Sequence, residues 1–339
     1  MNLGEIIKQP EGRRLEFKVQ VPAVSDLAKT IVSFSNDAGG LLYIGVQDEP
    51  RDIIGVPEED LIKLEEQLSS FIYDNCHPVI VPEISFLNFE NKYLLKVQIY
   101  RGNNLPYYLK SKGKLEGTYI RVGSTNRLAT PEIIEDLERQ KRNTSFDAEL
   151  LFDKPFPEIN YSALQEFFRQ KTGEDLIENS LKKLHLIAAF QEDFKATNAL
   201  ILLSEDELRK KLFPYAKIEC ARFKGVTSDE FIDQKTLDTN IALQAEEAYE
   251  FVLRHINKGA TVKGVYTESR WEYPVTAIRE AIRNAIVHRD YSLTGKDIKV
   301  AVYDDMVEIT SPGKLLPSID FTELEARQSD IRNKVIAPV

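Results

Sequence analysis

One helix-forming run near the carboxyl end carries an acid, an amide and an imidazole at regular intervals. The run REAIRNAIVHRDYS covers residues 279–292 and places Glu280, Asn284 and His288 four residues apart. The apolar residues between them are Ile282, Ala285 and Ile286. Residues four apart lie above one another on a helix, so the run predicts a polar ladder opposite an apolar stripe. The ladder is either solvated or able to hold a metal and a phosphate.

Three carboxylates near the amino end form a second candidate centre. Glu11 and Glu16 lie in the run EGRRLEFK, and Asp48 follows the apolar run LLYIGV. Converging carboxylates hold the divalent ions that clamp a phosphodiester and activate water, with Glu16 and Asp48 as metal ligands. Spacing alone does not establish convergence, because short motifs of this kind often occur by chance and a strand glutamate commonly faces solvent.

Basic side chains alternate with tyrosines in the segment YYLKSKGKLEGTYIRVGSTNR, residues 107–127. The segment contains one acid, and its basic residues are Lys110, Lys112, Lys114, Arg121 and Arg127. Basic and aromatic side chains together suit a groove that follows a phosphate backbone. A solvated hairpin on an acidic protein explains the same charges, so both interpretations stay open.

The composition is that of an acidic globular protein. The chain has 339 residues, 42% hydrophobic and 29% charged, with a formal net charge of −10. This charge excludes a protein that coats nucleic acid over its whole surface, because phosphate neutralisation needs an excess of Lys and Arg at the contact. The two cysteines, Cys76 and Cys220, stand far apart without metal-site spacing, so neither a disulfide framework nor a zinc site is expected.

Hydropathy predicts a cytoplasmic protein without a membrane partner. No apolar run is long enough to span a bilayer, and the first residues, MNLGEIIKQPEGRR, lack the apolar core of a signal peptide.

The apolar patterns predict an α+β protein with more than one domain. Residues 15–18 alternate as a strand, residues 25–40 read as a helix ended by Gly39 and Gly40, and residues 41–46 read as a buried strand. Near the carboxyl end, the apolar runs VAV and VEI flank residues 304–306 as a β-hairpin. The expected domains are 1–142, a mixed sheet with helices; 143–160, a linker; 161–270, a middle α/β domain; and 271–339, a helix followed by a hairpin.

The motifs EGRRLEFK, KTIVSFSNDAGGLLYIGVQDEPRDIIGV and GTYIRVGSTNRLA resemble the Schlafen-type AlbA-like domain over roughly residues 1–130. The resemblance implies a bacterial DNA-binding transcription regulator, with DNA favoured over RNA as its partner. Eukaryotic Schlafen relatives carry carboxylates that support RNA cleavage, and by motif position these correspond to Glu11, Glu16 and Asp48. A metal-dependent nuclease is therefore the alternative.

Residues 271–339 resemble the ATPase module of the GHKL type, which implies ATP and Mg²⁺ as cofactors. In that family one helix supplies a Glu that positions the attacking water and, four residues later, an Asn that ligates magnesium. Glu280 and Asn284 match this spacing, and Arg289 is the expected phosphate contact. Family analogy also predicts a homodimer.

Two departures from the GHKL pattern are visible. The turn at residues 310–313, Thr-Ser-Pro-Gly, lacks the Asp that recognises adenine, and no later glycine-rich lid loop follows before residue 339. We therefore expect a truncated, degenerate ATP-binding module. An ATP-dependent switch that acts on DNA through Glu280 and Asn284 is a further alternative, and the sequence leaves open whether the protein is an enzyme, either an ATPase or a nuclease.

Overall fold

The computed structural model describes residues 3–48, 50–263, 266–317, 319 and 330–339, without the side chains of residue 24 and residues 260–269. The chain divides into two compact units, residues 1–143 and residues 144–339. Both units combine helices with small mixed sheets, which confirms the predicted α+β class. No helix among the described residues is long and apolar enough to cross a bilayer.

Besides a 3-10 turn over Glu58–Asp60, the described residues of the first unit form short strands and five α-helices. In chain order these are α1 (Leu3–Ile6), β1 (Leu15–Lys18), α2 (Val24–Asn36), β2 (Gly40–Ile44), β3 (Val46–Gln47), β4 (Asp52–Ile53), α3 (Leu61–Asn75), β5 (Cys76–His77), β6 (Glu83–Phe89), β7 (Lys92–Ile99), β8 (Tyr108–Leu109), α4 (Gly113–Gly117), β9 (Tyr119–Val122), β10 (Thr125–Leu128) and α5 (Pro131–Lys141).

The main sheet of the first unit has the order β1-β2-β7-β6, with β1 parallel to β2. Both of its faces are covered. Leu42 and Ile44 pack in one apolar cluster with residues of α2, whereas Phe17 and Tyr43 belong to a second cluster. Successive residues of a strand point to opposite faces, which explains how β1 and β2 serve two clusters at once.

Glycines shape both ends of β2. Helix α2 ends at Asn36, and Gly39 turns the chain with a φ of +76°, as the sequence predicts. A Cβ at position 39 would lie 2.8 Å from the carbonyl oxygen of Ile99. The run predicted as one strand over 41–46 is interrupted at Gly45, where a φ of +103° breaks the ladder. Asp48 therefore follows a separate two-residue strand.

The second unit begins with two short 3-10 turns, Phe146–Ala148 and Phe156–Glu158. Its further elements are α6 (Ser162–Thr172), α7 (Glu178–Lys183), β11 (Ile187–Phe190), β12 (Asp193–Ala196), α8 (Asn198–Leu202), α9 (Glu207–Leu212), β13 (Ile218–Phe223), β14 (Phe231–Leu237), α10 (Ile241–His255), β15 (Lys258–Lys263), β16 (Tyr266–Trp271), α11 (Val275–Val287), β17 (Ile298–Val302) and β18 (Val307–Thr310).

The sheet of the second unit has the order β14-β13-β17-β18, and β17 and β18 form the predicted antiparallel hairpin. One core cluster joins this sheet to α10 and α11. The region read from sequence as a linker, 143–160, contributes Leu151, Phe156 and Ile159 to that core.

A buried carboxylate fastens the last described segment to the second unit. Asp147 is fully buried, and its Oδ2 atom accepts the backbone N–H groups of Val335 at 2.7 Å and Ile336 at 2.8 Å. Burial raises the pKa of Asp147, although these hydrogen bonds act in the opposite direction. Asn333 adds hydrogen bonds from Nδ2 to the carbonyl oxygens of Val287 and Arg289. The segment is thus held at the end of α11.

Candidate functional site

A buried ion pair joins β1 to β9 in the first unit. Arg121 Nη1 lies 2.6 Å from Glu16 Oε2, and the Arg121 side chain has no exposed surface. Its guanidinium also donates to the carbonyl oxygen of Gly12, at 3.1 and 3.2 Å, and to Asn126 Oδ1 at 2.9 Å. Because Arg121 joins Glu16, Gly12 and Asn126 from three different segments, this side chain holds the fold together.

The prediction that Arg121 contacts phosphate needs correction for that reason. A phosphate cannot reach a guanidinium without exposed surface unless the first unit opens. Sequence reasoning missed this because a strand Arg usually faces solvent, and its partner Glu16 is remote in the chain. The local signal in the sequence is that two consecutive apolar residues, Tyr119 and Ile120, precede Arg121. Both are buried, so the strand is covered on both faces.

Lys18 lies between two of the three predicted carboxylates. Its Nζ atom lies 3.0 Å from Glu16 Oε1 and 3.6 Å from Glu11 Oε1, and it donates to the carbonyl oxygen of Phe17 at 3.0 Å. Glu11 Oε1 also accepts the backbone N–H of Phe17 at 2.7 Å. The structure therefore brings Glu11 and Glu16 together, with a lysine ammonium between them.

Asp48 does not join this cluster. It pairs with Arg51 at 2.6 Å, and the Arg51 guanidinium lies 4.4 Å from the centre of the Phe17 ring. Phe17 and Glu16 are neighbours in β1, so their side chains point to opposite faces of the sheet. Asp48 lines a cavity of about 850 Å³ beside Arg51, whereas Glu16 lines a separate cavity of about 330 Å³. Among the described residues no group of three or more acidic, His or Cys side chains is arranged to hold a metal ion.

The four remaining basic residues of the 107–127 segment are exposed: Lys110, Lys112, Lys114 and Arg127. Lys114 pairs with Glu138 at 2.6 Å, and this hydrogen bond lowers the pKa of Glu138, so part of the Lys114 charge is neutralised. Arg127 has no charged or hydrogen-bonded partner within the described part of the chain. Lys112 Nζ lies 3.3 Å from the hydroxyl oxygen of Tyr119 and 5.9 Å from its ring centre.

Two lysines that sequence reasoning did not assign extend this basic surface. Lys18 and Lys29 line the 330 Å³ cavity together with Thr125 and Asn126. A hydrogen bond to Asp26 raises the pKa of Lys29, and Tyr119 contributes to the same shift. Lys18 and Lys29 thus lie beside Thr125 and Asn126 of β10, the strand that also carries Arg127. The only sequence signal was the alternation of LEFK, which places Lys18 on the polar side of its strand.

Helix α11 has the two faces that its sequence predicts. Ile278, Ile282, Ala285 and Ile286 are buried. Glu280 and Asn284 are exposed one helical turn apart, and neither side chain has a partner among the described residues. Two adjacent oxygen-bearing side chains free to turn toward solvent fit a magnesium ion that takes its other ligands from phosphate and water.

Arg289, expected at the nucleotide phosphates, is buried instead. Its Nη2 atom donates to the carbonyl oxygens of Tyr215 at 2.9 Å and Lys296 at 2.8 Å, and its guanidinium stacks on Tyr291. Burial lowers its pKa. Arg289 therefore braces the loop before β17, and the phosphate-contact prediction needs correction. His288 is half buried, and burial lowers its pKa, with Arg332 as the second cause.

The turn at 310–313 packs against the end of α11. Ser311 Oγ donates to the carbonyl oxygen of Ala285 at 2.6 Å, and the backbone N–H of Asp290 donates to the carbonyl oxygen of Pro312 at 2.8 Å. Gly313 has a φ of +145°, and a Cβ there would lie 3.3 Å from the Cβ of Asp290. The turn brings no carboxylate of its own, so it offers no counterpart to the Asp that recognises adenine in the GHKL pattern.

Two protein families match separate parts of this chain. Residues 11–130 match the family described as "Schlafen, AlbA_2", and residues 295–339 match the family described as "Putative ATP-dependent DNA helicase recG C-terminal". The first unit thus carries an AlbA-like domain of the Schlafen type, as the sequence motifs predict. The chain as a whole combines this domain with a RecG-related carboxyl-terminal segment. The second match begins after Glu280 and Asn284, so it does not include them.

Matches among solved structures include the DIP2311 protein of Corynebacterium diphtheriae, with 19% identity and a TM-score of 0.46. That alignment covers 96% of this chain and 66% of the other. Another is the N-terminal domain of a "Putative ATP-dependent DNA Helicase RecG-related Protein" from Nitrosomonas europaea, with 26% identity and a TM-score of 0.29 over 38% of this chain and 90% of that one. None of the curated proteins matches significantly.

Proposed function

We propose that this protein binds nucleic acid through a group of cations on its first unit. The carrying observation is that Lys18 and Lys29 line one cavity with Thr125 and Asn126 of β10, and that Lys112 contacts Tyr119 of the paired strand β9. Cations beside an aromatic residue suit a phosphate backbone. Arg127 and Lys110 extend the charge on the same segment.

The negative net charge of the chain limits where nucleic acid can bind. With a formal net charge of −10, the chain as a whole repels phosphate, so binding must concentrate where exposed cations lie together. Such contacts release counterions, and the affinity should fall steeply as salt rises. Arg121 serves this interface indirectly, because it fixes β9 and Asn126 beside the cavity.

The finer proposal is a DNA-binding transcription regulator with a nucleotide-dependent second unit. The family description for residues 295–339 names an ATP-dependent DNA helicase, which supports DNA over RNA and ATP as the nucleotide. Asn284 would ligate the magnesium ion that accompanies ATP, and Glu280 stands beside it. Binding of nucleotide, or association of two copies of the chain, would then alter the affinity for DNA.

The nuclease alternative finds less support in the geometry. It needs Glu11, Glu16 and Asp48 around one phosphate, and Asp48 lies on the other face of the sheet beside its own cavity. Phosphodiester hydrolysis of this type depends on metal ions placed between such carboxylates.

A gel series tests the two functions together. Labelled single- and double-stranded DNA and RNA are incubated with the protein at several salt concentrations, with EDTA or with Mg²⁺ and Mn²⁺. The proposal predicts a salt-sensitive shift with intact nucleic acid in every lane, strongest for DNA. Metal-dependent shortening that disappears in Glu16→Gln would establish the nuclease instead, and no shift at any salt would remove the binding proposal.

A further inference from the structure

Each carboxylate proposed from sequence as a metal ligand already has a basic partner from its own chain. Glu11 and Glu16 share Lys18, Glu16 also pairs with Arg121, and Asp48 pairs with Arg51. In the Glu11–Glu16 cluster, two acids face two bases, so the formal charge is balanced. A divalent ion is drawn to a site with excess negative charge, which this cluster does not have.

Both oxygens of Glu16 face a cation. Oε1 lies 3.0 Å from Lys18 Nζ, and Oε2 lies 2.6 Å from Arg121 Nη1. Arg121 cannot withdraw easily, because Gly12 and Asn126 also accept its hydrogen bonds and its side chain is fully buried. Divalent ions bind carboxylate oxygens at about 2.0–2.6 Å, and each Glu16 oxygen already has a basic nitrogen within 3.0 Å. A metal on Glu16 must therefore displace a cation, and Lys18 is the one with room to move.

Lys18 has the surroundings of a bound cation. Two carboxylate oxygens and one backbone carbonyl oxygen lie within 3.6 Å of its Nζ atom, and about a third of the side chain is exposed at the cavity. Hard divalent cations prefer ligand sets of this composition. An ammonium group is a compact point charge that can occupy the same position on a flexible stem.

We infer that the Lys18 ammonium is the resident cation of the Glu11–Glu16 cluster and occupies the position that a divalent metal would need. The native cluster therefore excludes divalent metal. Removing the Lys18 charge, with Glu11, Glu16 and the Phe17 carbonyl in place, opens a divalent-cation site. This inference does not depend on nucleic-acid binding and is tested without nucleic acid.

The experiment is a Mn²⁺ titration of the full chain, followed by electron paramagnetic resonance of the free ion. Five proteins are compared: wild type, Lys18→Met, Lys29→Met, Glu16→Gln and the double variant Lys18→Met/Glu16→Gln. Lys29 is the matched control because it lines the same cavity and pairs with Asp26 rather than with the cluster. Circular dichroism checks that each variant is folded, and Lys18→Gln replaces Lys18→Met if the latter is not.

We expect no stoichiometric Mn²⁺ site in wild type or Lys29→Met. Lys18→Met should bind one Mn²⁺ per chain at least about tenfold more tightly than wild type, the minimum effect of removing a unit charge at contact distance. The double variant should lose that site. A stoichiometric site in wild type that Glu16→Gln removes would overturn the inference. A folded Lys18→Met protein without Mn²⁺ binding would overturn it as well, since no cation position would then exist.

Discussion

Replacement of Arg121, the partner of Glu16, tests whether this arginine stabilises the fold or binds nucleic acid. Replacing Arg121 with Gln removes a guanidinium with no exposed surface and leaves Glu16 buried with Lys18 as its sole basic partner. Removing one partner of a buried ion pair typically costs about 3–5 kcal/mol. Lys18 retains part of the compensation, so we expect a loss near the lower bound, about 3 kcal/mol in the free energy of unfolding of the first unit.

The matched control is Arg127→Gln, on the neighbouring strand β10. Arg127 is exposed, and surface substitutions of this kind usually change stability by less than about 0.5 kcal/mol. Under the proposed function it should instead lower the salt dependence of nucleic-acid binding, by about one unit of slope if it makes one phosphate contact. The two arginines lie on paired strands, but we expect different effects. Arg121→Gln should lower stability, whereas Arg127→Gln should change nucleic-acid binding.

Urea denaturation followed by two signals measures the effect. Far-ultraviolet circular dichroism reports both units, whereas the single tryptophan, Trp271, reports only the second. The loss in Arg121→Gln should appear in the dichroism and leave the tryptophan transition in place. The reasoning fails if Arg121→Gln is as stable as wild type and weakens nucleic-acid binding as Arg127→Gln does.

Three residues of the second unit give further predictions. Asp147→Ala should destabilise it by about 2–4 kcal/mol in urea melts, because the N–H groups of Val335 and Ile336 lose their acceptor. Burial raises the pKa of Asp147 in the folded state, so its contribution to stability is greatest below the unfolded-state pKa and declines as pH rises toward the folded value. Asp147→Asn, which keeps an acceptor, should remove that decline in a pH series of melts; an unchanged pH profile would contradict the assignment. Asn284→Ala should abolish magnesium-dependent ATP binding in calorimetry while the melting temperature stays unchanged, and retained binding would remove Asn284 from the site. Arg289→Met should lower stability through its lost carbonyl contacts, and a change in ATP affinity without a change in stability would show that Arg289 does reach phosphate.

Periodicity predicted the elements whose apolar residues are close in sequence. Helix α2 with its glycine stop, the two-faced helix α11 and the β17–β18 hairpin are local patterns, and the structure confirms them. The strand predicted over 41–46 was too long, because a glycine with positive φ interrupts it while the apolar run continues. Local backbone conformation of this kind has no signature in hydropathy.

The candidate sites were harder to predict because buried polar partners are distant in the chain. Arg121 and Arg289 read as exposed phosphate contacts, and each is buried by carbonyl oxygens or acids that come from other elements. Gly12, one acceptor of Arg121, is 109 residues away in sequence. Asp48 lies on its face of the sheet because of the turn at Gly45 and the ion pair with Arg51. Sequence spacing therefore could not show whether Asp48 and Glu16 lie close together.

The measurement that tests the central proposal most directly is the salt dependence of DNA binding by fluorescence anisotropy in EDTA. It compares wild type with Lys29→Gln/Lys112→Gln and with Lys224→Gln, an exposed lysine of the second unit. We predict that the double variant binds DNA more weakly across sequences and that its slope of log affinity against log salt falls by about two, one for each phosphate contact. Lys224→Gln should match wild type. Unchanged affinity and slope in the double variant would contradict the assignment of the interface to the first unit.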